Sequence, residues 1–248
     1  MQRTIVCLKW GEMYGPQYVN NLYAMIRRNL QGDFRFVCLT DNSTGIRSEV
    51  DCQPLPDFPE PEWKYARYCS AWRKLALFDA GKLGLNGRIL FLDLDLVILS
   101  AIDELFEGDA PFLMLENWYQ PGNGQASLMR YDSDFAKPVL DEYLSDSETI
   151  LKTYVTEQAF IAERLCVNGA YFDPSYCVSF KKHVMHSDWR RFTSKPYDKP
   201  EGAKVIVFHG RPNPPDAIKG DWGKSLPALK RWWKGLKPCP WIADYWRE

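Results

Sequence analysis

The sequence predicts an α/β fold with a mixed, mostly parallel sheet flanked by helices, and two observations support that prediction. The first is the order strand, helix, strand at the start of the chain, which is the repeating unit of doubly wound sheets. The second is the run 89–92, which is short, continuously apolar and preceded by a turn signal at Asn86-Gly87. Such a run is typical of a strand buried on both faces of its sheet. We expect residues 1–248 to form a single domain, with 226–248 as a helical, Trp-rich extension.

The individual elements follow from the spacing of apolar residues. Strands are predicted at 4–8, 34–39, 89–92, 110–116, 126–131, 171–180 and 204–208, and helices at 17–30, 68–80, 132–144, 157–165 and 226–235, with a helical turn at 102–106. We expect Asp132 or Ser133 to cap the helix at 132–144 and Thr156 to cap the helix at 157–165.

Composition excludes several classes of protein. The net charge is −1, so no global electrostatic attraction to nucleic acid is expected. The 7 cysteines contain no Cys-Xaa-Xaa-Cys pair and favour a reduced, cytoplasmic protein. No apolar run approaches the ~18 residues of a membrane span, and the first residues lack the apolar core of a signal peptide. The 10 tryptophans suit either a sugar-binding surface or the core.

Two carboxylates stand between two apolar runs. Asp93 and Asp95 follow the strand at 89–92, with Leu94 between them. Burying them as unpaired charges would be very costly, so we expect them at the strand end beside a cation. Positions i and i+2 of one strand point to the same side, so the pair could share Mg²⁺ or Mn²⁺. The alternative is that both are ordinary turn formers.

Other polar and aromatic residues follow the remaining strands, where ligands of doubly wound sheets gather. These are Lys9, Trp10 and Tyr14 after the first strand, Thr40 and Asp41 after the second, and His209 after the last. An imidazole added to two carboxylates suits Mn²⁺ better than Mg²⁺. The alternative for His209 is an ordinary hydrogen-bonded residue. His183 and His186 lie in a polar stretch and are expected at the surface.

The chain resembles the GT-A glycosyltransferases over nearly its whole length, and is most similar to the retaining family 8 group. In that family an apolar strand ends in Asp-Xaa-Asp, as at 93–95, and a later strand ends in His before Gly, as at 209–210. The resemblance implies a GT-A, Rossmann-like fold and a metal site made by Asp93, Asp95 and His209. It also implies transfer of a hexose from a nucleotide-sugar donor, with UDP as the expected carrier. The acceptor would be a hydroxyl of a glycan, a lipid-linked molecule or a protein, as in polysaccharide biosynthesis, and configuration would be retained.

The same resemblance implies roles for further residues. Leu8 and the loop that follows it, to Tyr14, would hold the nucleobase, and Lys74 with Arg73 beside it would face the diphosphate. Glu157-Gln158 matches an Asp-Gln pair that lines the family's sugar pocket. Gln158 would stabilise the oxocarbenium-like centre, and Glu157 would orient the donor or acceptor. The alternative for both is an ordinary place in the first turn of a helix.

The sequence departs from the family pattern at three places. Gln125-Ala126-Ser127 stands where the family has Asn-Ser-Gly, which frames the sugar. Arg211-Pro212-Asn213 stands where the family has Lys-Pro-Trp, and Arg211 is our candidate to replace that lysine at the diphosphate. Glu157 is one methylene longer than the aspartate of the family, which shifts its carboxylate.

Two other functions remain open from the sequence. Residues 91–97 also resemble the first motif of haloacid dehalogenase-type phosphatases, in which Asp93 would be the nucleophile and Asp95 the acid/base, although that motif usually opens its domain. An inactive carbohydrate- or nucleotide-binding module would use Trp118, Tyr119 and the Trp-rich tail equally well. The stretch 230–237 combines cations with two tryptophans, which is typical of a peripheral contact with the inner face of a membrane and also of an ordinary basic helix.

Overall fold

The computed structural model describes residues 3–59, 69–166, 169–186, 188–222 and 235–248. Its strands are β1 (Arg3–Lys9), β2 (Phe34–Thr40), β3 (Asp51–Pro54), β4 (Arg88–Leu92), β5 (Leu96–Ile98), β6 (Phe112–Glu116), β7 (Gly124–Asp132), β8 (Cys177–Ser179) and β9 (Val205–Val207). Its α-helices are α1 (Pro16–Asn29), α2 (Lys137–Ser145), α3 (Ser147–Thr153), α4 (Glu157–Leu165), α5 (Arg190–Thr193) and α6 (Pro214–Lys219). Segments of 3₁₀ helix cover Cys69–Phe78, Asp103–Phe106 and Pro240–Asp244, and Phe180–Val184 forms a π-helical turn.

The chain divides into two compact units. The first contains Met1–Tyr14, Gly32–Asp93 and Leu105–Phe172, and the second contains Gly15–Gln31, Leu94–Glu104 and Asp173–Glu248. Each unit therefore draws on separated stretches of the chain, and each has a sheet of its own. The expectation of a single domain stays a prediction.

The first unit is built on a six-stranded sheet with the order β3-β2-β1-β4-β7-β6. The strands from β3 to β4 are parallel, whereas β7 runs antiparallel to both of its neighbours. Helical segments cover it, and Trp72 stacks against Tyr143 of α2 with the ring centroids 5.3 Å apart. This mixed, mostly parallel sheet flanked by helices confirms the fold class predicted from the sequence.

The second unit contains a three-stranded sheet with the order β5-β9-β8. Strand β5 is antiparallel to β9, and β8 is parallel to β9. Helix α1 packs against β5, and the sulfur of Met25 accepts a hydrogen bond from the Ile98 N–H at 3.4 Å. The end of the chain also lies against α1, because Arg28 donates to the carbonyls of Tyr245 and Arg247, both at 2.8 Å.

Several predicted elements differ in extent or type. The segment predicted as a helix at 68–80 is 3₁₀ over Cys69–Phe78. The strand predicted at 171–180 is limited to Cys177–Ser179. Its first half turns instead, because the Asp173 carboxylate accepts the Ser175 N–H at 2.8 Å. The helix predicted at 226–235 lies outside the described residues, apart from its last residue.

One predicted helix cap is wrong, and the other is confirmed in position only. Helix α2 begins at Lys137, and Ala136 occupies its N-cap. The Asp132 carboxylate serves another purpose, since the Arg88 guanidinium donates to it at 2.9 Å. Thr156 does occupy the N-cap of α4, but its side chain makes no capping hydrogen bond.

Two further findings concern exposure and length. The expectation that His183 and His186 lie at the surface is wrong, since His186 is buried and His183 is partly buried, its Nδ1 accepting the Ser179 N–H at 2.9 Å. Among the described residues, no helix combines the length and the apolar character that crossing a bilayer requires.

Candidate active site

The loops after β1 and β2 lie at the carboxyl edge of the six-stranded sheet, where Lys9 and Thr40 are register partners. The Asp41 carboxylate accepts the Gly11 N–H at 2.8 Å, which joins the two loops. The buried Lys9 ammonium donates to the Asn42 carbonyl at 3.2 Å, and the Thr40 hydroxyl donates to the same carbonyl at 3.0 Å. These contacts give the edge a defined shape around the residues expected to hold a nucleobase.

The other candidates of this loop differ in burial. Leu8 is buried at the end of β1, and Trp10 is partly buried and packs against the core. Tyr14 is partly exposed. Arg73 donates to the Pro56 carbonyl at 3.1 Å, so its guanidinium supports the loop after β3.

Asp93 follows β4 at the same edge and pairs with Lys74. The Lys74 Nζ lies 2.8 Å from Asp93 Oδ2, and the two side chains are only 12% and 21% exposed. Lys74 also donates to the Ala126 carbonyl at 3.0 Å, and its Nζ lies 5.3 Å from the centre of the Phe91 ring. Asp93 Oδ1 makes no hydrogen bond within the described part of the chain. The cation that the half-buried Asp93 carboxylate required is therefore supplied by the protein itself.

Glu157 and Gln158 begin α4 and belong to the same cluster. Gln158 Oε1 accepts the Ala126 N–H at 3.4 Å, so Lys74 and Gln158 hold the two polar groups of the Ala126 backbone. Glu157 is buried, and this burial raises its pKa above the usual 4.5, although the Lys74 charge opposes the rise. The Asp93 charge acts in the same direction as burial.

Gln125 is held within β7 rather than turned outward. Its Nε2 donates to the Ser127 hydroxyl at 2.8 Å, and its Oε1 accepts the Ser127 N–H at the same distance. The Ser127 carbonyl in turn accepts the Asp93 N–H at 2.9 Å. Sequence reasoning missed these structural roles of Ala126 and Ser127, which join β7 to the aspartate. In the sequence, the only feature that pointed to these two residues was that they belong to 125–127, the segment that departs from the family pattern.

The Asp93-Leu94-Asp95 segment is a turn. Strand β4 ends at Leu92, and β5 begins at Leu96 in a different sheet. Both carboxylates lie beyond the end of the strand, as expected, but the argument from positions i and i+2 of one strand does not apply to them, because the segment is a turn. Leu94 is buried, and Asp95 is also buried, its carbonyl accepting the Phe208 N–H at 3.1 Å.

His209 follows β9 in the second unit, next to the residue that bonds Asp95. Its Nε2 lies 2.6 Å from the Ser179 hydroxyl, and its carbonyl accepts the Lys181 ammonium at 2.7 Å. Burial lowers the pKa of His209 to about 4, and the Lys181 charge acts in the same direction. The imidazole is therefore neutral at pH 7.

Arg211 lies in a network that the sequence analysis missed. Its guanidinium donates to Asp216 at 3.2 Å, and Asp216 also accepts the Asn213 N–H at 3.0 Å. Asn213 and Asp216 form the capping box of α6. Tyr18 of α1 hydrogen bonds to the Asn213 side chain; burial raises the pKa of the Tyr18 phenol to about 12.

A signal for this network was present in the sequence. Asn-Pro-Pro-Asp at 213–216 places a capping asparagine before two prolines and an acidic residue three positions later, which is a helix-start pattern. Nothing local predicted the contact with Tyr18.

Within the described ranges, no three or more His, Cys, Asp or Glu side chains are grouped so that they could hold a metal ion. The three candidate metal ligands are divided between the two units. Asp93 belongs to the first unit, whereas Asp95 and His209 belong to the second.

Solved structures share the arrangement of strands and helices described above. A galactosyltransferase LgtC, in complex with donor and acceptor sugar analogs, aligns with a TM-score of 0.58 and 13% identity over 97% of this chain and 99% of that one. The chain has the GT-A glycosyltransferase fold. An active-site glutamine-to-glutamate mutant of LgtC gives a TM-score of 0.61 with 13% identity over 92% of this chain and 99% of the other.

A third similar structure is the apo form of the glycosyltransferase GlyE from Streptococcus pneumoniae TIGR4. Its TM-score is 0.55 with 14% identity, and the alignment covers 94% of this chain and 60% of GlyE. No protein-family model matches the sequence, and no curated protein matches it either. The resemblance inferred from the sequence is thus confirmed at the level of the GT-A fold.

Proposed function

We propose that this protein is a glycosyltransferase that moves a sugar from a nucleoside-diphosphate donor, expected to be UDP-linked, to an acceptor hydroxyl. The observation that carries the proposal is the Lys74–Asp93 ion pair of 2.8 Å at the carboxyl edge of a GT-A sheet, in one cluster with Glu157 and Gln158. The LgtC structure is a complex with donor and acceptor sugar analogs, and the similarity to it supports a sugar donor and a glycan acceptor for this protein. A lipid-linked or protein acceptor fits the same reaction.

The leaving group explains why cations are needed at this edge. When the bond between the sugar and the diphosphate breaks, negative charge develops on the departing phosphate. Fixed positive groups that face this charge stabilise it more strongly in a site that excludes water. Lys74 is the proposed group in the first unit, and Arg211 is the proposed group in the second. In the structure each cation is held by a carboxylate, Asp93 and Asp216 respectively.

The proposed ligands of a divalent cation are Asp93, Asp95 and His209. By residue type, two carboxylates and an imidazole suit Mn²⁺ or Mg²⁺, but the described structure does not group the three side chains into a metal site. Asp93 can already bind a cation through Oδ2, as Lys74 shows, and its Oδ1 makes no hydrogen bond within the described residues. When bound, such an ion supplies Lewis-acid stabilisation of the diphosphate.

The sugar-facing residues are proposed to be Gln158 and Glu157. Gln158 presents an amide at the start of α4, where its oxygen is held by the Ala126 N–H. The same oxygen keeps a second lone pair, which can stabilise positive charge at the anomeric carbon as the old bond breaks. The acceptor oxygen forms the new bond to that carbon, and its proton leaves with the diphosphate. Glu157, buried beside this amide, orients the donor or acceptor, and configuration is retained.

The decisive experiment combines ligand binding with turnover. Nucleoside diphosphates are screened by thermal shift with and without Mn²⁺ or Mg²⁺, because a ligand at a hundred times its Kd stabilises the fold by about 2.7 kcal/mol. UDP-sugars are then tested for release of UDP. We expect a shift that needs both nucleotide and cation, and turnover with at least one UDP-sugar. No stabilisation by any nucleotide, with or without a cation, would contradict the proposal.

Lys74→Met tests the ion pair directly. Removing the ammonium leaves the Asp93 carboxylate and the Ala126 carbonyl without their donor, which should cost about 2 kcal/mol of stability. Turnover should fall by about a hundredfold or more, as for loss of one charge-stabilising donor. Lys137→Met is the matched control, because it breaks only an exposed 2.8 Å pair with Asp141, and exposed pairs contribute little to stability.

Asp95→Ala separates the transferase from an inactive binding module. A transferase that holds its donor through a cation should lose both donor affinity and turnover in this variant. A binding module would keep its sugar affinity and would not depend on a metal. Unchanged binding of a UDP-sugar by Asp95→Ala, measured by calorimetry, would favour the module.

A further inference from the structure

A cavity of about 500 Å³ lies in the first unit, at the edge of its sheet opposite to the candidate active site. Its lining comes from the chain around the start of β1, the start of β4, the end of β7 and the segment after the 3₁₀ helix Asp103–Phe106. Strand β1 runs from Arg3 at this edge to Lys9 at the other, so roughly 20 Å separate the two edges at about 3.3 Å per residue. The cavity has the size of a small-molecule site, and none of the described residues that line it belongs to the candidate active site.

Two arginines hold one wall of this cavity in place. Arg88 donates to two carbonyls of the segment 106–110, that of Phe106 at 3.1 Å and that of Gly108. Arg130, which is buried, donates to two further carbonyls of the same segment. Four backbone carbonyls of one short segment are therefore bound by guanidinium groups. Because these bonds fix the path of the backbone, the cavity is already formed before any ligand enters it.

The lining of the cavity is balanced in charge. Arg3 and Arg88 contribute two guanidinium groups, and Glu107 and Asp132 contribute two carboxylates. Arg88 and Asp132 are register partners in β4 and β7, and their side chains pair at 2.9 Å. Within the described residues, the Glu107 carboxylate and the Ser133 hydroxyl make no hydrogen bond. A small ion of either sign would meet two side chains of its own charge, so the lining favours a ligand without net charge.

We propose that this cavity binds a neutral oligosaccharide. A hydroxyl group both donates and accepts hydrogen bonds, so the hydroxyls of a sugar can satisfy guanidinium donors and carboxylate acceptors in one site. Phe106 also lines the cavity, and the Arg3 guanidinium lies 5.5 Å from the centre of its ring. This ring supplies an apolar wall for the C–H face of a sugar. The inference does not depend on the proposed transferase activity, since it rests on residues outside the candidate active site.

Saturation-transfer NMR tests the inference on the full chain. The probes are short neutral oligosaccharides of glucose, galactose, mannose and N-acetylglucosamine, with inorganic phosphate as a competing anion. We expect at least one oligosaccharide to bind, and phosphate not to displace it, because a ligand without net charge neutralises no cation. Ser133→Phe fills the cavity with a ring and should abolish this binding. Glu107→Ala removes a charged acceptor and should weaken the binding about fivefold or more.

The matched control is Asp109→Ala, which removes another exposed carboxylate from the same segment but does not touch the lining, and should leave oligosaccharide binding unchanged. Lys74→Met, in the candidate active site, should also keep this binding, so the test is separate from that of the transferase. Thermal unfolding shows whether each variant is folded, and Glu107→Ala keeps the test valid if Ser133→Phe is not. Failure of every neutral oligosaccharide to bind, displacement by phosphate, or binding that folded Ser133→Phe and Glu107→Ala both retain in full would overturn the inference.

Discussion

A single lysine organises the candidate active site at the scale of residues. Lys74 binds the Asp93 carboxylate at 2.8 Å and the Ala126 carbonyl at 3.0 Å, and its charge acts on Glu157. One buried ammonium thus serves two carboxyl groups. Burial raises the pKa of Glu157, and the Lys74 charge opposes that rise. A neutral carboxyl donates a hydrogen bond, which an ionised one cannot do.

Glu157→Gln should change how stability depends on pH. In the unfolded chain the carboxyl loses its proton near pH 4.5, whereas burial in the folded protein raises the pKa and keeps the proton to higher pH. The folded state therefore holds more protons above pH 4.5, so the wild-type protein loses stability as pH rises through this interval. Glutamine cannot ionise. The midpoint of thermal unfolding of Glu157→Gln, relative to wild type, should rise with increasing pH. A constant difference from pH 4 to pH 8 would show that the carboxyl does not titrate as inferred.

At the scale of elements, the N-termini of two helices position the candidate residues, Glu157 and Gln158 in one case and Arg211 in the other. Helix α4 holds Glu157 and Gln158 in its first turn. Its N-cap residue, Thr156, makes no side-chain capping hydrogen bond. Helix α6 begins with a complete capping box, and the same Asp216 carboxylate that closes the box also accepts Arg211. The cap of α6 is thus a structural device that also positions a candidate diphosphate-binding residue.

The two N-cap residues give expectations of different size for alanine substitution. Asn213→Ala removes a side chain that caps α6 and bonds Tyr18, and should lower the free energy of unfolding by about 1 kcal/mol or more. Thr156→Ala removes a side chain that makes no capping bond, and should cost less than about 0.5 kcal/mol. Urea denaturation of both variants measures the difference. Equal losses would mean that the capping box contributes nothing beyond ordinary helix propensity.

At the scale of the whole molecule, the end of the chain is tied into the second unit. Gly220 ends α6 in the left-handed conformation, with φ +71°, and the Cys239 N–H donates to the Ala217 carbonyl at 2.9 Å. A Cβ at position 220 would lie 2.5 Å from the Pro238 backbone nitrogen. Glycine is therefore required twice here, by its φ and by the close approach of another backbone segment.

Gly220→Ala measures how much that contact contributes. It combines the cost of a left-handed alanine with overpacking against Pro238, so we expect a loss of at least about 2 kcal/mol in the free energy of unfolding. Gly202→Ala is the matched control, because its φ is +77° and no heavy atom lies within 4 Å of its Cβ position. It should cost only about 1 kcal/mol. Chemical denaturation measures the free energy of unfolding of both variants. Equal losses would show that the structure adjusts easily around Pro238.

The apolar periodicity of the chain was sufficient to predict the α/β class, the strands at 4–8, 34–39 and 89–92, and the position of Asp93 beyond the end of a strand. It was sufficient because these features depend on residues that are neighbours in the sequence. The folded chain alone reveals that Lys74, 19 positions away, pairs with Asp93, that Tyr18 contacts Asn213, and that Ser179 bonds His209. It also shows that Asp95 directly precedes β5, which belongs to a different sheet. Such contacts join segments that only packing brings together, and a local pattern carries no information about which distant partner a buried charge will find.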